Sequence, residues 1–226
     1  MKNLLYILTF VITTAAIAQT TNSISLEKQK LKQALAYGDT NVAASSMYAI
    51  INLEGPQSTY KDSLAYLYFN GRNYSSCFLV TNDILKNKPK NLELLEMNVI
   101  SLESLGAYGK AIEGYNKLLA QTNNNYHAYK LAGLQLALKK FDEAYLSVKK
   151  ADQLPDDGTS KITYQVNKNY NQNVDLKAAI AYLEGIIAMN LEKNDEAKLS
   201  FERAIKIFPD FVLAKGKLDA INTSKE

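Results

Sequence analysis

The chain contains no tryptophan, a single cysteine, a single histidine and four prolines. With Cys77 alone, no internal disulfide can form. His127 has no second histidine and no cysteine pair to join it, so a catalytic zinc site lacks its ligand set. Arg72 and Arg203 are the only arginines, a poor supply of the forked donors that grip phosphates and base edges. The formal charge of +3 marks no polyanionic partner, and nucleic acid is not expected to be one. What the chain does have is 47% hydrophobic residues in a length that suits one domain.

One apolar run stands apart. Lys2 precedes Leu4 to Thr14, and Ala16-Ile17-Ala18 presents small side chains before Gln19. This is the pattern of a cleaved export signal over residues 1–18. The run from Leu4 to Ala18 is shorter than the roughly 20 residues that span a bilayer, which argues against an uncleaved anchor. No cysteine follows the cleavage point to carry a lipid. The expectation is a mature chain of residues 19–226, exported across the inner membrane to the periplasm, with no further membrane span. Loss of Lys2 lowers the formal charge from +3 to +2.

The rest repeats. An aromatic residue followed three places on by a small one occurs at Tyr74 and Cys77, Tyr108 and Ala111, and Phe141 and Ala144. Successive small residues are 34 and 33 positions apart. Ala197 lies 53 beyond Ala144, one period plus an insertion of 19, and Ala44 lies 33 before Cys77. Further sites follow four residues later, at Tyr48, Thr81, Tyr115, Val148 and Phe201. Three beyond those come Ile51, Ile84, Leu118, Ala151 and Ala204. Pro56, Pro89, Pro155 and Pro209 close units, with Asn123 in that place in the third. A proline cannot continue a helix and pushes its predecessor out of helical geometry. A period of this length predicts stacked helical hairpins, and a small residue lets two helices approach closely where they cross.

Segments 102–119 (LESLGAYGKAIEGYNKLL) and 183–209 (LEGIIAMNLEKNDEAKLSFERAIKIFP) resemble tetratricopeptide repeats, the second carrying Gly185, Ala197, Phe201, Ala204 and Pro209. The resemblance covers about residues 25–222 as five units. It departs from the family where the usual first-helix aromatic is replaced by Lys61, Leu95, Ala128 and Ala181, and where Gln135 and Glu184 occupy apolar positions. It implies an all-α fold, a right-handed superhelical solenoid of antiparallel helix hairpins, capped by a final amphipathic helix from Phe211 to Ile221.

Residues 155–174 (PDDGTSKITYQVNKNYNQNV) interrupt the array and read as an inserted loop. Ile162, Tyr164 and Val166 alternate with polar residues there, which permits a short extended segment. As a loop position, Gln172 is expected to tolerate substitution.

No constellation assembles a reaction. Cys77 falls at an alanine position and is expected to be buried, while His127 opens a helix two units away. Asp152, Asp156, Asp157 and Gly158 lack the acidic alternation of a calcium loop. No cofactor, metal or enzymatic activity is expected.

The resemblance instead implies a groove lined by the first helix of each unit. Its candidate residues are Asp62, Tyr66, Phe69, Glu93, Glu96, Glu103, Tyr126, Tyr129 and Tyr182. The Lys and Asn clamp of the chaperone-binding members is missing, leaving a groove acidic in the middle and aromatic toward the C-terminal end. The competing expectation is that some of these tyrosines pack against the insertion or neighbouring helices. The function implied is an extracytoplasmic scaffold holding a protein or peptide. The alternative is a self-associating structural subunit of an envelope assembly.

Overall fold

A computed structural model describes residues 21–223. The expected export signal and its cleavage point lie outside them. The chain divides into two compact units, one ending at Leu105 and the other beginning at Gly106.

The first unit holds α1 (21–36), α2 (Thr40–Glu54), α3 (Tyr60–Asn70), α4 (Tyr74–Leu85) and α5 (Leu92–Ser104). The second holds α6 (Tyr108–Thr122), α7 (Asn125–Ala137), α8 (Phe141–Gln153), β1 (Lys161–Asn167), β2 (Tyr170–Asp175), α9 (Leu176–Asn190), α10 (Asn194–Ile207) and α11 (Val212–Thr223). The helices α4, α6 and α8 begin at the repeated aromatics Tyr74, Tyr108 and Phe141. Cys77, Ala111, Ala144 and Ala197 are fully buried.

The first repeat is one residue out of the register expected for it. Ala43, Met47 and Ile50 are the buried set, while Tyr48 stays 46% exposed. Ala43 lies 34 residues before Cys77, so the period is kept. With alanine at both 43 and 44, side-chain size could not choose between them. The turn decides: Asp39 accepts a bond from the Val42 N–H and caps α2, as Asn73 does for α4 through the Ser76 N–H.

That turn repeats in its backbone as well. Gly38, Arg72, Gly106, Lys139 and Glu192 all adopt positive φ, at 72°, 56°, 73°, 58° and 59°. In four of these turns the next residue's N–H reaches back five positions. The bonds are Asp39 to Ala34 (2.8 Å), Asn73 to Tyr68 (2.8 Å), Lys140 to Gln135 (2.9 Å) and Lys193 to Ala188 (2.9 Å). This left-handed ending satisfies the last carbonyls of one helix and turns the chain back along it. Three of the five positions carry a residue with a Cβ that disfavours this conformation.

The insertion is an ordered β-hairpin, not a loop. β1 and β2 pair antiparallel from Lys161 with Asp175 to Asn167 with Tyr170, with an irregularity between Gln165 and Asn167. Isolated two-stranded ribbons are marginal in water, so a packed face is needed. Val174 provides it, buried with Ala178 and Ala181 of α9, Ala204 of α10, and Phe211 and Ala214. The alanines make a low surface on which a ribbon can lie. Gln172 is 6% exposed; its amide donates to the Asp210 carbonyl (2.6 Å) and its oxygen accepts from the Val212 N–H (3.1 Å). Gln172 therefore ties β2 to the start of α11, contrary to a tolerant loop position.

Gly185 of α9 marks a close approach to α10. A Cβ built there would fall 2.5 Å from the ring of Phe201, which is itself fully buried.

Candidate interaction surface

The first helices of the units carry the expected groove positions. In the first unit, α3 presents Asp62, Tyr66 and Phe69, and α5 presents Glu93, Glu96 and Glu103. Lys88 reaches Asp62 at 2.8 Å, and Lys61 beside it reaches Asp83 at 2.8 Å. The Tyr66 phenol donates to the exposed Glu93 carboxylate, and that bond above all pushes its pKa up to about 12. Phe69 packs edge-on against Tyr74, centroids 6.2 Å apart, and half-buried beside Ala65 and Cys77. Glu96 and Glu103 are half-buried and have partners. Asp62, Tyr66 and Glu93 thus form a hydrogen-bonded acidic and phenolic face with an apolar flank at Phe69. Cys77 is buried in the same unit, and burial pushes its thiol pKa up, the opposite of a nucleophile's environment.

In the second unit Tyr126 is half-buried on α7 with its ring 6.2 Å from that of His127. His127 is buried, with Nδ1 2.9 Å from the Thr122 hydroxyl. Tyr129, one turn along α7, meets Tyr164 of β1 hydroxyl to hydroxyl at 3.0 Å. Tyr182 of α9 packs among Tyr164 (5.5 Å), Phe201 (5.7 Å) and Phe211 (5.0 Å). Tyr129 and Tyr182 are therefore engaged by the insertion, whereas Tyr126 packs beside His127. Burial pushes the Tyr164 phenol strongly upward, so it stays neutral throughout the physiological range.

Tyr164 is the residue the sequence reading missed at this surface. Its signal lay in α9, where Leu176, Ala178 to Ala181, Leu183 to Gly185, Ile187 and Ala188 are all buried. A helix apolar on every side must be covered on every side, including the one that elsewhere faces the groove.

A second polar cluster ties α8, α9 and α10 together. The Glu184 side chain, 4% exposed, is held by Lys149 at 2.5 Å and by Arg203, which also bonds Asp152 at 2.9 Å. Tyr145 donates to Glu196, and the Lys193 ammonium lies 4.1 Å from the centre of its ring. The Glu184 carboxylate raises the Lys149 pKa. Each charge has a counter-charge, so the cluster clamps helices instead of offering a vacant anion or cation site.

Among the described residues, no three His, Cys, Asp or Glu side chains gather in a way that would hold a metal ion. No described helix is long and apolar enough to cross a membrane.

This arrangement of paired helices, left-handed turns and small crossing residues is that of the tetratricopeptide repeat proteins, and the chain has their fold. No family model and no curated protein matches it. Solved structures do. YrrB, described as a TPR protein with an unusual peptide-binding site, aligns with a TM-score of 0.66 at 16% identity, over 90% of this chain and 96% of its own. A MamA crystal structure aligns with a TM-score of 0.64 at 12% identity, over 82% of this chain and 92% of its own. MamA 41-end from Desulfovibrio magneticus RS-1 aligns with a TM-score of 0.62 at 12% identity, over 84% and 97%.

Proposed function

We propose that the protein is an exported, non-enzymatic adaptor that holds a segment of a protein partner against the first-helix faces of its repeats. The observation that carries this reading is the presence of partly exposed aromatic rings with polar tips on those faces: Tyr66 beside Glu93 in one unit, and the half-buried Tyr126 in the other. Rings of this kind supply contact area at low entropic cost, while carboxylates steer and orient a basic or amide-rich segment. YrrB, which has this fold, is described as having a peptide-binding site, and that supports the reading. Export to the periplasm follows from the leader-like residues 1–18 and belongs to the same proposal.

The test is a peptide library screened against the mature chain. Tyr126→Ala in one unit and Glu93→Lys in the other should each weaken the ligands selected on its own unit while leaving thermal unfolding nearly unchanged. Ligands indifferent to both variants would overturn the assignment of this face. Intact mass of the natively expressed protein tests export, since retention of Met1 to Ala18 would exclude it.

A self-associating subunit is the second reading, favoured by leucines two places after the crossing residue. Leu79, Leu146 and Leu199 are 63%, 71% and 66% exposed at this one repeat position. Concentration-dependent mass in solution, abolished by Leu146→Glu with Leu199→Glu, would support it.

A further inference from the structure

The β-hairpin does more than cover α9, because one of its edges is unused. Among the described residues the sheet has two strands only. The Leu176 N–H donates to the Ser160 carbonyl at 3.0 Å, which makes those opposed residues a hydrogen-bonded pair. In an antiparallel ladder such pairs alternate with non-bonded ones. Ile162 opposite Val174 and Tyr164 opposite Gln172 are then bonded pairs whose amides point into the ribbon. Lys161, Thr163 and Gln165 fall between them, so their N–H and C=O groups point outward, away from β2. All three residues are exposed.

The direction in which this edge opens is set by the packing. Tyr164 of β1 reaches Tyr129 of α7, while Gln172 and Val174 of β2 reach Asp210, Val212 and Ala214. β1 is the strand on the α7 side, and its outer edge faces the helix that carries Tyr126 and Tyr129. Gly133 lies one turn beyond Tyr129 on the same side of α7, and a Cβ there would meet nothing within 4 Å. An open strand edge on the side of α7 supplies a backbone wall, and Tyr126, Tyr129 and Gly133 would be the side-chain floor of a slot along it.

We infer that this slot binds an extended segment of a partner protein, which adds to β1 as a third strand and lays alternate apolar side chains on α7. The inference rests on the proposed adaptor role and names its mode of recognition. Three residues with outward amides offer up to six backbone hydrogen bonds, which demand a partner backbone in extended form and cannot be met by a helix. Side-chain choice enters through the floor: residues two apart face Tyr126 and Tyr129, and the others face solvent.

The test uses the mature chain and a fluorescein-labelled peptide of about ten residues alternating valine with threonine and ending in lysines. Fluorescence anisotropy should show saturable binding. N-methylation of one alternating set of peptide amides should abolish it, and methylation of the other set should leave it intact. On the protein, Thr163→Pro removes an outward N–H and leaves the backbone ladder to β2 in place, as edge strands tolerate; it also removes the Thr163 hydroxyl bond to Asn173 of β2, a loss that Thr163→Val shares. It should weaken binding by about tenfold or more, whereas Thr163→Val should not, and both should melt with wild type. If Thr163→Pro perturbs folding, the methylated peptides still decide the question. Binding insensitive to amide methylation would overturn strand addition while leaving the adaptor role standing. Binding of a helix-forming peptide of similar composition in place of the extended one would do the same. Failure of both peptides and of every library peptide would overturn both.

Discussion

Gly185 offers the sharpest check on the packing. Replacing it with alanine puts a carbon 2.5 Å from Cε1 of Phe201 and 2.8 Å from Cδ1 and Cζ. Carbon atoms rest at roughly 3.5–4.0 Å, so the ring or the helix must yield by about 1 Å. Phe201 is fully buried and touches Tyr182 at 5.7 Å between centroids, which leaves the ring no free direction. Overpacking of this kind costs roughly 1–3 kcal/mol. Alanine also gains about 1 kcal/mol of helix propensity over glycine, so the observed change is a difference of two opposing terms. Gly133→Ala isolates the second, because nothing lies within 4 Å of a Cβ at that site in α7. Gly133→Ala should stabilise by about 0.5–1 kcal/mol, and Gly185→Ala should fall about 1–3 kcal/mol below it. In a chain of this size that gap corresponds to several degrees in melting temperature, about 2–4 °C per kcal/mol. Shaving the ring with Phe201→Leu in the Gly185→Ala background should make the two changes non-additive in the favourable direction. Equal stabilisation by Gly133→Ala and Gly185→Ala would show that α9 and α10 do not meet at this point.

Gln172→Leu should destabilise by about 1–3 kcal/mol in thermal denaturation, because it strands the Val212 N–H and the Asp210 carbonyl at a buried site. Lys139→Gly should be neutral to stabilising by up to about 1 kcal/mol in urea unfolding. It relieves a left-handed cost of about 1–2 kcal/mol against about 0.4–1 kcal/mol of added unfolded-state entropy. Tyr66 is raised above its ordinary value of 10.0 to about 12 by donating to Glu93. Its contribution to stability is present below pH 10.0, the unfolded value, and is lost as pH rises through about 12. Tyr68 is also raised to about 12 and Tyr164 further still, so phenolate absorbance should show several late-titrating tyrosines, one of which is lost in Tyr66→Phe and shifts back toward ordinary values in Glu93→Gln.

The parts of the fold that were legible in the sequence are those carried by side-chain size. Cys77, Ala111, Ala144 and Ala197 announce the helix crossings because only small residues fit there, and all four are buried. The left-handed turns were not legible. Arg72, Lys139 and Glu192 have no preference for positive φ and are held there by bonds of the Asn73-to-Tyr68 kind. The ribbon was half legible: Ile162, Tyr164 and Val166 alternate as a strand should, yet alternation alone does not say what the strand lies on. Glu184 stood out as polar at an apolar position, but its partners Lys149 and Arg203 are 35 and 19 residues away. Of the interaction face, the tyrosine positions could be named from the repeat and packing against the insertion stood as the competing expectation, but Tyr164 could not be singled out as the residue that makes the contact. A distant segment supplies the contact.

The bond from Leu176 to Ser160 at the foot of the ribbon has a consequence for how this chain can vary. It pins the two ends of the insertion together, next to where α9 begins. A segment whose ends are already joined meets only the weak length dependence of loop closure, about 0.6 kcal/mol for each doubling. Residues added at the tip, between Asn167 and Tyr170, would leave the helix register on either side unchanged. The ribbon is thus a mounting point, where one repeat array can present strands of different length and sequence without renegotiating its own packing.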